Sequence, residues 1–185
     1  MEIYKLVIIL TSIFLVASCG CKTKLDSNDL AWFTYQEGDT LVFCSSDNKF
    51  DTTFIVKREI FYPEYNPIEV HGKYHPQMGN ILYYNKNVPY INDGKELVFL
   101  EKNIPEQKAT GFISYYNSTF FFDKDFFIET NYTAIINGKQ YNDILLITYN
   151  DFNLDCDILR KLWWSKKHGL LEYETCEGQI WTRIK

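Results

Sequence analysis

Ala134-Ile135-Ile136-Asn137-Gly138-Lys139-Gln140-Tyr141 runs apolar, strand-forming residues into a two-residue turn. Asn-Gly is the strongest short hairpin signal, because both central positions of its turn need positive φ, which Asn and Gly tolerate. The residues 126–136 before it and 143–149 beyond it are rich in aromatic and branched side chains, so the stretch predicts an antiparallel hairpin. The same alternation of apolar run and turn continues outward in both directions.

Towards the C-terminus, residues 162–165, 170–175 and 179–184 form a meander with turns at Lys167-His168-Gly169 and Glu177-Gly178. Towards the N-terminus, residues 112–122 are one long strand, separated from Phe126 by the turn Asp123-Lys124-Asp125. Residues 81–84 and 97–100 are strands divided by Asn92-Asp93-Gly94-Lys95. Residues 40–60 make a hairpin about Asp47-Asn48-Lys49, with Phe54, Val56 and Arg58 on one face and Thr53, Ile55 and Lys57 on the other. Between these hairpins, residues 61–76 hold Pro63, Pro67, Pro76 and Gly72 and form a long irregular connection. No helical period occurs beyond the N-terminal segment. The expected fold is all-β: an antiparallel meander of about ten strands, as a curled sheet, open barrel or sandwich.

Composition agrees. Aromatics are 17% of the 185 residues, which suits pleated surfaces better than helices. Four doublets stand out: Tyr83-Tyr84, Tyr115-Tyr116, Phe126-Phe127 and Trp163-Trp164. Neighbours on a strand point to opposite faces, so each doublet predicts a ring on both faces of its sheet. Trp163 and Trp164 are therefore expected to divide between core and surface, and the accessible indole is a candidate ligand or partner contact.

An apolar run from Leu6 to Val16 follows Lys5. It is too short to cross a bilayer as a helix, which needs about 20 apolar residues, and has the length of a signal-peptide core. It closes on Leu15-Val16-Ala17-Ser18-Cys19, which resembles the lipobox of bacterial lipoproteins. The resemblance implies cleavage before Cys19, acylation of that cysteine, and attachment to a membrane through its acyl chains. Each buried methylene contributes about 0.8 kcal/mol, so several chains make the anchor effectively permanent. Gly20, where an Asp would favour inner-membrane retention, points to the outer membrane of the cell envelope. The chain divides into a signal peptide (1–18), a lipidated cysteine with a flexible tether (19–31), and one β-rich domain (32–185).

The formal net charge is −5, and Glu2 and Lys5 cancel in the removed segment, so the mature chain keeps it. That balance argues against nucleic acid as a partner. Of the five cysteines, Cys19 belongs to the anchor and Cys21 to the tether beside it. Cys156, in a polar connection, and Cys176, in a hairpin turn, could meet at a sheet edge as a disulfide; unpaired thiols are the plainer reading, with Cys44 a small strand residue.

The segments Asn137 to Leu145 and Trp163 to Glu174 resemble a pattern in small bacterial envelope lipoproteins, where a turn and a Gly-plus-two-apolar hairpin close a β-rich domain. Gly38-Asp39-Thr40-Leu41-Val42-Phe43 is similar to the first strand of such proteins. The resemblance implies a fold and a location, and no chemistry.

Constellations for chemistry are sparse. His71 and His75 have zinc-helix spacing, yet Gly72 and Pro76 oppose a helix and the catalytic glutamate is missing. Asp151 to Asp157 places oxygen ligands at alternate positions, but Cys156 stands where a calcium loop needs Gly and Leu162 where it needs Glu. The sequons at Asn117 and Asn131 need a eukaryotic machinery and are discounted. No metal, cofactor or catalytic set is expected. The leading expectation is a non-enzymatic binding or assembly module whose partner is an envelope protein or an amphiphilic ligand. A carrier of a lipid or other amphiphile in a β cavity, and a carbohydrate-binding or carbohydrate-active protein, are the alternatives.

Overall fold

The computed structural model describes residues 21–64, 74–87, 94–122, 127–148 and 159–185, with the backbone alone at 127–131. Its strands are β1 (Cys21–Lys22), β2 (Thr40–Ser45), β3 (Phe50–Phe61), β4 (Tyr74–His75), β5 (Gln77–Asn85), β6 (Lys95–Lys102) and β7 (Thr110–Tyr115). They continue with β8 (Ser118–Phe121), β9 (Phe127–Ile136), β10 (Lys139–Thr148), β11 (Leu159–Ser165), β12 (Gly169–Thr175) and β13 (Ile180–Arg183). A single turn of helix, α1 (Ser27–Leu30), lies near the N-terminus.

Eleven strands join one antiparallel sheet in the order β8-β7-β6-β5-β3-β2-β13-β12-β11-β10-β9. The chain meanders outward along one arm, β2 to β8, and returns along the other, β9 to β13. The last strand then closes onto β2, with Trp181, Thr182 and Arg183 opposite Ser45, Cys44 and Phe43. The fold is the expected all-β curled sheet, bent into a half-barrel. Its curvature follows from a distance. Tyr115 on β7 and Tyr173 on β12 are six places apart in the sheet, about 29 Å if it were flat. Their ring centroids are 5.2 Å apart. Register shifts on β3, β5, β10 and β11 supply the bend, since each bulge adds local twist.

The concave side holds the main core, including Leu41, Phe43, Ile55, Tyr83, Leu97, Ile113, Ile147, Leu162 and Trp164. A smaller cluster of Ile136, Ile144 and Leu171 lies apart from it, with Trp163 and Tyr141 against it. On β3 the polar face turns inward: Asp51, Thr53 and Ile55 are buried, whereas Phe54 and Val56 are 44% and 39% exposed.

Two expectations need correction. Residues 112–122, expected as one strand, are the hairpin β7–β8, with Tyr115 opposite Ser118. The turn is carried by Tyr116 at φ +52, a region a tyrosine enters only when its surroundings hold it. Tyr116 donates to Asp51 at 2.9 Å and packs on Tyr115 and Tyr173, which supplies that hold. The Tyr115-Tyr116 pair therefore does not divide between two faces; both hydroxyls reach the same carboxylate.

The second correction concerns the tether. Residues 21–31 are folded onto the domain. Cys21 and Lys22 pair in parallel with Tyr74 and His75. Thr23 is 1% exposed and Leu25 2%. The Thr23 N–H donates to the His75 carbonyl at 3.0 Å, and its Oγ1 donates to the Lys102 carbonyl. The Gln77 N–H donates back to Thr23 Oγ1 at 3.1 Å, and the Tyr62 hydroxyl donates to the Thr23 carbonyl at 2.8 Å. Short-range sequence patterns carry no trace of these partners, which lie 39 or more positions away.

Candidate functional site

Among the described residues two sets of polar side chains stand out, one closed and one open. The closed set is centred on Asp51, which is fully buried. Its carboxylate accepts from Asn85 Nδ2 at 2.9 and 3.0 Å and from Asn87 Nδ2 at 3.0 Å. It also accepts from the hydroxyls of Tyr173 at 2.8 Å, Tyr116 at 2.9 Å and Tyr115 at 3.4 Å. Thr53 Oγ1 bonds both Tyr115 and Asn85 at 2.7 and 2.9 Å. A carboxylate offers about four lone-pair directions, so this one is saturated. Burial, helped by the Asp51 charge, pushes the Tyr115 hydroxyl far above the ordinary tyrosine range, and Tyr116 and Tyr173 move the same way. The set ties β3, β5, β12 and the β7–β8 turn together and has no access to solvent at its centre.

The open set lines a cleft of about 480 Å³ between the two arms of the sheet and the N-terminal segment. Leu100 of β6, Ala109 and Leu145 of β10 make its floor. Trp32 and Phe122 make an aromatic wall, with ring centroids 4.5 Å apart. Lys166, in the β11–β12 turn, holds its Nζ 4.6 Å above the Trp32 ring, and exposed Lys108 stands on the rim. Asp26, Asn28 and Asp29 form the remaining side.

The acidic side is held by a capping box. Asp26 accepts from the backbone N–H groups of Asn28 and Asp29 at 2.8 and 3.0 Å, while Asp29 accepts from the Asp26 N–H at 3.0 Å. Lys102, 3% exposed, reaches Asp29 at 3.0 Å and Asp26 at 3.3 Å. Burial alone would lower the Lys102 pKa, but the hydrogen bonds to Asp29 and Asp26 prevail and raise it. Asp26 is held below the usual carboxylate range, first by the Asp29 N–H, with Lys102 contributing. Asp29 is thus neutralised by a buried partner, and the accessible charges of the cleft are Asp26, Lys108 and Lys166.

Trp164 is fully buried, edge-on to Tyr35 at 5.9 Å, and its Nε1 has no hydrogen-bond partner. Trp163 is half-buried on the opposite face, against the smaller cluster, with Lys161 Nζ 5.9 Å from its ring. Neither lines the cleft. Cys176 is half-buried after β12, and Cys156 lies outside the described residues, as do Cys19, His71 and the acidic run from Asp151 to Asp157. His75 is a structural residue, its Nε2 2.9 Å from the Pro63 carbonyl. Among the described residues, no three His, Cys, Asp or Glu side chains converge to hold a metal ion.

The cleft residues were missed because they come from six separate stretches of the chain. One signal was available for Asp51: it precedes Thr53 and Ile55 at alternate positions on a strand, so it faces wherever Ile55 faces. No protein-family model, curated protein or solved structure matches the chain.

Proposed function

We propose that the protein is a lipid-anchored module of the cell envelope that binds its partner without transforming it, and that the cleft beside Trp32 is its binding site. The carrying observation is the make-up of that cleft: an apolar floor and aromatic wall next to two accessible lysines. Its volume of about 480 Å³ lies in the range typical of small-molecule sites. An amphiphile with an apolar body and an anionic head is the ligand whose chemistry fits. The non-enzymatic reading draws support from three buried acids, since Asp51 is saturated by neutral donors, Asp29 is neutralised by Lys102, and Glu174 is paired with Lys161 at 3.0 Å. The anchor rests on the lipobox-like residues Val16-Ala17-Ser18-Cys19.

A deep lipid cavity between the arms has less support, because the concave side is packed with buried side chains. Sugar stacking on Trp32 has less too, because Phe122 and Lys166 already occupy its ring. The test is a thermal-shift titration with laurate, with dodecanol and with a maltooligosaccharide. Laurate should raise Tm, dodecanol less, the sugar not at all, and Lys108→Ala with Lys166→Ala should abolish the preference for laurate. Equal shifts by laurate in the native and doubly substituted proteins would overturn the assignment of the cleft.

A further inference from the structure

From the folded N-terminal segment we infer that the domain rests directly on the lipid bilayer through the face formed by Cys21, Lys22, Tyr62, Tyr74 and His75. The inference depends on acylation of Cys19, and adds to it an orientation and a contact surface. Chain length is the reason. Cys21 is already paired with Tyr74, and Thr23, two residues on, is buried under four hydrogen bonds. Two residues of fully extended chain reach at most about 7 Å. The headgroup layer on each side of a bilayer is itself about 5–7 Å thick. A lipid-bearing Cys19 therefore holds Cys21 at headgroup level, and no length of chain is left to let the domain stand away.

The chemistry of the face fits that position. Lys22 is exposed, with its Nζ 4.8 Å from the Tyr62 ring centroid. Tyr62 and His75 are half-buried with rings 5.3 Å apart, and half-buried Tyr74 stands opposite Cys21. Tyrosines with an apolar ring and a polar tip suit the boundary between water and hydrocarbon, and a lysine can lay its stem along it while its charge meets lipid phosphate. The opposite end of β5 lies about 26 Å further along the strand, where Lys86 is exposed.

Lys22 and Lys86 provide native reporters. The mature acylated protein would be placed in phosphatidylcholine vesicles and acetylated with a membrane-impermeant succinimidyl ester, with mass spectrometry reading each lysine and the lipid on Cys19. The expected result is at least fivefold slower labelling of Lys22 than in a soluble chain that starts at Gly20, with Lys86 unchanged. A ten-residue Gly-Ser linker inserted after Gly20 spans about 18 Å and should restore Lys22 labelling while the protein stays vesicle-bound. Lipid on Cys19 with Lys22 labelled at its soluble rate would overturn the apposed face and leave the anchor standing. A Cys19 without lipid would overturn the anchor and the face with it.

Discussion

Asp51 and Asp29 are both buried carboxylates, and they are satisfied in opposite ways. Asp51 sits under the concave face and collects neutral donors from three tyrosines and two asparagines. Asp29 sits at the edge of a cleft and is matched by one cation, Lys102, and one backbone N–H. The first arrangement leaves no lone pair for a newcomer and ties distant strands together. The second neutralises one acid while its neighbours Asp26, Lys108 and Lys166 stay in reach of solvent. These two sets therefore differ in role, one holding the sheet closed and the other presenting a surface, and substitutions should separate the two.

The largest effect is expected at Asp51. Asp51→Ala leaves three hydroxyls and two amides without their shared acceptor, at about 1–3 kcal/mol for each one that stays buried and unpaired. Partial repair among the donors makes a net loss of about 5 kcal/mol the expected outcome in urea unfolding. A loss below about 2 kcal/mol would show that the tyrosines can satisfy one another, and the contrast with Asp29 would collapse.

Alkaline titration tests the same region without substitution. Burial raises Tyr115, Tyr116 and Tyr173 in the folded protein, while an unfolded chain ionises them from pH 10. Above that pH the unfolded state holds fewer protons, so stability present below it is lost as pH rises. The slope is about 1.4 kcal/mol per pH unit for each tyrosine, or about 4 for the three together. A urea midpoint unchanged from pH 10 to pH 11 would mean that these hydroxyls are not buried as a set.

Trp163 and Trp164 give the comparison its sharpest form, since adjacent residues of one type face opposite sides. Trp164→Ala should cost about 4 kcal/mol, as expected for emptying a fully buried ring. Trp163→Ala should cost about 1 kcal/mol, because the indole is only half-buried on the smaller cluster. Equal losses would make both faces core. Asp29→Ala comes next, at about 2–3 kcal/mol. It strands a buried lysine, with Asp26 at 3.3 Å as the remaining partner.

What the chain revealed in advance follows the range of the physics. Turns are local, and Asn137 and Gly138 do take positive φ, +48 and +74, as do Gly169 and Gly178. Strand alternation is local too, and it separates Trp163 from Trp164. The Tyr116 turn was hidden because its left-handed φ depends on Asp51, 65 positions earlier. The folding of residues 21–31 was hidden for the same reason, since a polar stretch reads as a tether until Tyr62, Gln77 and Lys102 are brought to it. The cleft exists only after the two arms curl, so apart from the Asp26–Asp29 capping box none of its parts is a local pattern.

The smallest expected effect on stability is at Lys166, and it is the one that bears on function. Lys166 is exposed, and its visible contribution is the contact of its Nζ with Trp32 at 4.6 Å. Cation–π contacts at exposed sites contribute about 0.5–1 kcal/mol. Lys166→Ala should therefore lower stability by less than about 1 kcal/mol, and in doing so uncover one face of the Trp32 ring. If the cleft is a binding surface for anionic amphiphiles, the same variant should lose affinity for laurate while its urea midpoint barely moves. Loss of stability above about 2 kcal/mol would place Lys166 with Asp51 among the residues that hold the sheet, and the cleft would then be packing between the arms. Intact affinity at intact stability would move the anionic contact to Lys108, the other cation on the rim.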